Sequence, residues 1–173
     1  MWRMEKLGVA MSICFLSDQT QDRHDLKVIA QWLHGQWGGI TGSTLDAFLG
    51  GLQNRAGSTC VPFTLVAFEG IVPVGTASVV EQDMDTHPHL TPWLACVYVS
   101  ADSRQKGIGS RLCEAAFSRT GELGIDRLYL FTPDRMRFYT RLGWSSMQQV
   151  SYRGEQVSIM AKRVSPRGPS RAV

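Results

Sequence analysis

Between residues 93 and 122 the chain changes character twice, and the order of those changes leaves few folds open. Trp93–Val99 is an unbroken apolar run, the pattern of a central strand covered on both faces. Ser100–Lys106 is polar. Gly107 then opens a stretch in which Ile108, Leu112, Ala115 and Ala116 fall on one face of a helix, which Gly121 or Gly124 ends. A buried strand that feeds a helix through a glycine turn requires a sheet with helices laid against it. The chain is therefore α/β.

The remaining segments extend that unit. Val9–Leu16 predicts a first strand, and Ser17-Asp18 a turn. From Asp22 the positions Leu26, Ile29, Ala30, Leu33 and Trp37 recur at helical spacing until Gly38-Gly39. Thr44 is placed to cap a second, short helix carrying Leu45, Phe48, Leu49 and Leu52. Phe63–Glu69 and Val72–Glu81 predict a hairpin turning at Gly70, and Gln82–Pro92 a polar loop. Asp126–Thr132 is another apolar strand. Thr132-Pro133-Asp134 supplies an N-cap, a first-turn proline and an acid for a helix bearing Met136, Phe138, Tyr139 and Leu142, stopped by Gly143. Ser146–Tyr152 and Glu155–Arg163 close the chain around Arg153-Gly154. One mixed central sheet with helices on its faces follows, with residues 1–8 as an extension, 9–164 as a single domain and 165–173 as a disordered basic tail.

Composition narrows the function classes. Of 173 residues 43 % are hydrophobic and 19 % charged, enough for a substantial core. Lys162, Arg163, Arg167 and Arg171 lie in a C-terminal stretch without acids, and subtracting them from the formal charge of +3 leaves −1 for the body. A near-neutral body argues against a nucleic-acid partner. No apolar run reaches membrane-spanning length. Cys14, Cys60, Cys96 and Cys113 form no C-x-x-C pair, and a chain this long folds without staples, so they are expected as buried, reduced thiols in a cytoplasmic protein. Met1–Leu16 loosely imitates a signal peptide, but no small-x-small cleavage site follows it.

The chemistry concentrates in Arg104-Gln105-Lys106-Gly107-Ile108-Gly109. Two glycines let a backbone turn tightly and approach a ligand, and the N–H groups at a helix N-terminus suit a pyrophosphate, with Arg104 and Lys106 adding charge. Two rival phosphate loops fail: no Gly-Lys-Ser/Thr occurs, and G-x-G-x-x-G would need a small residue at Leu112. What remains resembles the GNAT superfamily of N-acetyltransferases. The family's cofactor motif is a strand followed by R/Q-x-x-G-x-G/A opening a helix. Its second motif is a short helix ending F-Y-x-x-L-G-F/W, here Phe138-Tyr139-Thr140-Arg141-Leu142-Gly143-Trp144.

The resemblance implies a GNAT-like mixed sheet flanked by helices, acetyl-CoA as co-substrate, no metal, and an amine acceptor. It assigns the cofactor to Val97, Tyr98, Val99, Arg104, Gln105, Lys106, Gly107, Ile108, Gly109 and Ser110. Tyr139 falls on the tyrosine that members use to protonate the departing thiolate. Relatives often carry an Asn where this chain has Asp134, and peptide-acetylating members a glutamate on the strand that here reads Leu128-Tyr129-Leu130-Phe131-Thr132. The general base is therefore unassigned, and its candidates lie upstream, though relatives often move the proton through ordered water. Glu81 at a strand end is the candidate, with Asp83, Asp85, His87 and His89 behind it. The His87-Pro88-His89 pair reads as loop rather than metal ligands. Asp83, Asp85 and Trp93, with Trp32 and Trp37, are the candidate acceptor contacts, suited to a cationic amine. With no well-placed carboxylate, an α-amine is favoured over a lysine side chain, whose higher pKa makes its neutral form about 3 kcal/mol costlier at neutral pH. A non-catalytic acetyl-CoA sensor is the alternative. The sequence leaves a homodimer open.

Overall fold

A computed structural model describes residues 10–16 and 23–164. The expected N-terminal extension, the Ser17-Asp18 turn and the basic tail lie outside the described residues. In chain order the elements are β1 (Met11–Phe15), α1 (Arg23–Thr41), α2 (Leu45–Gln53), β2 (Phe63–Glu69), β3 (Val72–Val80), β4 (Trp93–Val99), α3 (Ile108–Glu122), β5 (Arg127–Thr132), α4 (Met136–Arg141), β6 (Ser145–Tyr152) and β7 (Glu155–Arg163). One seven-stranded sheet runs β1-β2-β3-β4-β5-β7-β6. Every pairing is antiparallel except β4 with β5.

Both sheet faces are covered, and β2 shows why its sequence is apolar throughout. Phe63, Leu65 and Ala67 pack with Ile108, Leu112 and Ala116 of α3. Val66 and Phe68, pointing the other way, pack with Leu26, Ile29 and Leu33 of α1 and Leu52 of α2. Alternation sends successive side chains to opposite faces, so a strand buried on both sides reads as a continuous run. The two buried hydroxyls of Thr64 and Ser78 satisfy each other at 2.8 Å.

Several local signals act as expected. Thr44 Oγ1 accepts from the Ala47 N–H and caps α2. Arg153 and Gly154 both have positive φ, 50° and 82°, the backbone a two-residue hairpin needs between β6 and β7. Others shift. Gly38-Gly39 does not end α1, which runs to Thr41. Thr132 belongs to β5, opposite Ser158 of β7. Its hydroxyl still accepts from the Arg135 N–H at 2.9 Å, but α4 starts only at Met136. Cys14 and Cys60 are exposed rather than buried, and all four cysteines are free. Among the described residues no helix is long and apolar enough to cross a membrane.

Candidate active site

The sheet has a seam. β4 pairs with β3 along most of its length, yet it meets β5 in register only at Trp93 opposite Tyr129. Beyond that pair the strands part. The register of β4 on β3 jumps from Ala95 opposite Ser78 to Tyr98 opposite Thr76, three residues against two, and Cys96 has φ 54°. An extra residue of this kind bends and over-twists a strand, which carries the C-terminal half of β4 away from β5. Gly75 permits the tight packing behind it. A Cβ there would lie 2.9 Å from Tyr98 O and 3.1 Å from Leu112 Cδ1.

At the far end of β4 the chain enters α3 through a loop with two left-handed residues, Gln105 (φ 65°) and Gly107 (φ 75°). The N–H groups of Ile108, Gly109 and Ser110 find no backbone acceptor among the described residues; Arg111 N is the first, donating to Gly107 O at 3.1 Å. These free amides and the helix dipole form an anion cradle. A Cβ at Gly107 would meet open space, and one at Gly109 would touch Phe138 Cζ at 3.6 Å and Val99 Cγ2 at 3.7 Å. The donors, the open face and the lack of side chains fit a pyrophosphate. The two basic side chains are engaged elsewhere. Arg104 donates from Nε to Val99 O at 3.1 Å and its guanidinium lies 5.7 Å from the Tyr98 ring centroid. Lys106 Nζ pairs with Glu69 Oε1 at 2.9 Å. The cradle is therefore mainly backbone.

Tyr139 lies on α4, edge-on to Phe138 (5.0 Å) and to Trp144 (6.1 Å). Its hydroxyl has no hydrogen-bond partner among the described residues. Burial pushes its pKa well above the ordinary phenol value, helped by the neighbouring Cys113. Burial also lifts the Cys113 thiol to about 12 and the Cys96 thiol to about 11. Both are uncharged thiols at neutral pH.

On the acceptor side the sequence candidates separate. Glu81 and Asp85 are exposed, while Asp83 between them is half-buried. Burial raises the Asp83 carboxyl to about 6 against the opposing pull of Arg55 and Arg153. Trp93 is wholly enclosed, packed with Met84, Leu90 and Tyr129, and its indole N–H donates to Leu90 O. It is a core residue rather than an exposed platform for an acceptor. Trp32 stacks on Tyr98 at 5.5 Å and Trp37 meets the same ring edge-on at 6.5 Å. His87 is held by Thr86 Oγ1 and Gln148 Nε2, each at 2.9 Å. Among the described residues no His, Cys, Asp and Glu group is arranged to hold a metal. The charges of Arg55, just after α2, and Arg153, at the β6–β7 turn, act on Asp83, and neither residue stands out in the sequence as a site residue. A turn pattern marks Arg153 only as a turn residue, and nothing local marks Arg55.

Comparison with known proteins agrees with this geometry. Residues 62–146 match the family model described as an acetyltransferase (GNAT) domain. No curated protein matches the chain. Among solved structures, yncA of Salmonella typhimurium, determined with its cofactor acetyl-CoA, superposes with a TM-score of 0.67 at 18 % identity, covering 94 % of this chain and 99 % of that one. An aminoglycoside 6′-N-acetyltransferase complexed with coenzyme A gives 0.70 at 16 % identity, covering 92 % and 99 %. The aminoglycoside 6′-N-acetyltransferase of Enterococcus faecium gives 0.71 at 16 %, covering 91 % and 99 %. The seam, the α3 amides and Tyr139 all lie inside the matched segment, so residues 62–146 form an acetyltransferase (GNAT) domain.

Proposed function

We propose that the chain is an acetyl-CoA-dependent N-acetyltransferase that acetylates a primary amine, a small amine or a peptide α-amine, by direct attack. The observation that carries this reading is the seam. β4 turns a free edge toward a gap whose far end is the amide cradle of α3, so an extended pantetheine arm can add as a strand while its pyrophosphate rests on the amides.

Bound acetyl-CoA supplies an acetyl thioester. In this reading Val97 and Val99 hold the arm through their main chains. A β4 N–H beside the bulge faces the carbonyl oxygen as it gains charge during attack. Tyr139, protonated at any working pH, donates toward the departing sulfur. Neither nearby cysteine is a thiolate at neutral pH, which favours direct attack over a covalent acetyl-enzyme.

The test is thiol release from acetyl-CoA in the presence of a panel of amines, with the acetylated amine identified by mass. Transfer to at least one primary amine is expected. Binding of acetyl-CoA with no transfer to any of them would contradict catalysis and favour the sensor.

A further inference from the structure

At one end β7 outruns its neighbour. Its ladder with β6 stops at Ser145 opposite Ala161, yet β7 continues to Arg163, which pairs on its other side with Arg127 of β5. Just before Ser145 the chain turns away through Gly143, whose φ is 83°. The shorter β6 leaves a notch of about 450 Å³, lined by Arg127, Gly143, Ser145, Ala161, Lys162 and Arg163. That size suits a small molecule.

The notch is cationic. Arg127 and Arg163 stand directly opposite each other on antiparallel strands, so their side chains leave the same face from Cα atoms about 4.5–5.5 Å apart. Like charges so placed repel. Neither arginine has a hydrogen bond or an ion pair among the described residues, where the ion pairs are Lys106–Glu69, Arg119–Glu122 and Arg135–Asp134. Lys162 adds to the field from the wall. Its ammonium donates to Leu142 O at 2.7 Å, lies 3.9 Å from the Phe117 ring centroid and would stand 3.8 Å from a Cβ on Gly143. No acid lines the notch. Glu114 acts on Lys162 from α3, and Asp126 has the parity of Leu128, which packs under α3 on the opposite face. Setting both acids against the three cations still leaves a formal excess of one positive charge.

We propose that this notch binds a small phosphate monoester, with the Arg127 and Arg163 guanidiniums clamping its dianion and the Ser145 hydroxyl donating to a further oxygen. Guanidiniums match phosphate oxygens in a two-pronged geometry, and a bound dianion cancels the repulsion that the strand register imposes. The site is separate from the α3 cradle. β4 and β5 run parallel through the Trp93–Tyr129 pair. Arg127 comes before that pair and the cradle comes after Val99, so roughly 20 Å or more of strand lies between them. Occupancy of the notch does not depend on acetyl transfer.

The experiment titrates O-phosphoserine and inorganic phosphate into the full chain by calorimetry, with serine as the uncharged-side-chain control. The α3 cradle can also take phosphate, so variants of both places are compared. O-phosphoserine should bind and serine should not. Arg163→Gln, at an exposed position, and Arg127→Gln should each weaken O-phosphoserine binding at least tenfold, whereas Gly107→Glu should leave it in place. In thermal melts without added phosphate Arg163→Gln should melt no lower than wild type, because it removes one of two repelling charges. A lower melting temperature would contradict the unmatched pair. Absence of O-phosphoserine binding, binding untouched by both arginine variants, or binding lost in Gly107→Glu and kept in the arginine variants would overturn the proposal, the last by placing the phosphate on α3. A phosphoserine peptide that binds where O-phosphoserine does not would overturn the small-molecule assignment in favour of a phosphorylated polypeptide.

Discussion

Tyr139 and Asp83 are both held partly out of water, and the same physical effect acts on both acids. Desolvation favours the neutral form of any acid. For Tyr139 this keeps the phenol protonated, so it stays a donor. Tyr139→Phe keeps the ring and its packing on Trp144 but removes that donor. Turnover should fall by roughly 10²–10⁴ with acetyl-CoA affinity unchanged, measured by steady-state rates and calorimetry. Wild-type turnover would leave Tyr139 a packing residue. Asp83, with its carboxyl near 6, is ionised at pH 7 but more basic than an ordinary carboxylate. The charges of Arg55, after α2, and Arg153, at the β6–β7 turn, pull against that rise, while Glu81 and Asp85 beside Asp83 on its own segment are exposed. Between its ordinary value of 3.8 and about 6, the folded state binds more protons than the unfolded one. Stability therefore falls as pH rises through that window and stays lower above it. Asp83→Asn removes this penalty. By chemical denaturation the variant should match wild type near pH 4 and exceed it at pH 7.5, by about 1–3 kcal/mol after allowing for partial exposure. Equal stability at both pH values would contradict the placement of this carboxylate.

At the scale of elements, what the sequence disclosed is what local physics decides. The apolar run of β4, the glycine opening of α3, the cap of α2 and the β6–β7 turn all depend on residues near one another in the chain, and each appears close to its expected bounds. Misses come where tertiary contacts decide. α1 continues through Gly38-Gly39 while Trp37 is anchored on the Tyr98 ring. The expected cap of α4 at Thr132 is displaced because the β5–β7 ladder claims that residue as strand. The bulge at Cys96 was illegible, since an extra residue shows only against a partner strand. The proposed cofactor positions Gly107–Ser110 stand out in the sequence because a helix start and two glycines mark them. The candidate acceptor contacts did not stand out in this way. Trp93, read as an acceptor contact, is core, and the charges of Arg55 and Arg153 bear on Asp83 only through the fold.

The molecule as a whole is two antiparallel blocks, β1–β4 and β5-β7-β6, joined at one parallel pair. α3 covers the face of the first block, and its N-terminus stands at the end of β4 that has left its neighbour. That arrangement turns a discontinuity in the sheet into a slot with an anion cradle at its mouth. In the proposed function acetyl-CoA occupies this slot with its pyrophosphate on the α3 amides. Calorimetric titration of acetyl-CoA into wild type and Gly107→Glu tests it most directly. A Cβ at Gly107 meets open space, so the variant bears only the strain of its left-handed backbone, on the order of 1 kcal/mol, and Gly107→Asn, which tolerates that backbone better, controls for it. Wild type should bind at a single site, and folded Gly107→Glu should lose at least a hundredfold in affinity as a carboxylate enters the cradle, with Gly107→Asn retaining more. Undiminished binding by folded Gly107→Glu, or no binding by wild type, would contradict that placement of the cofactor.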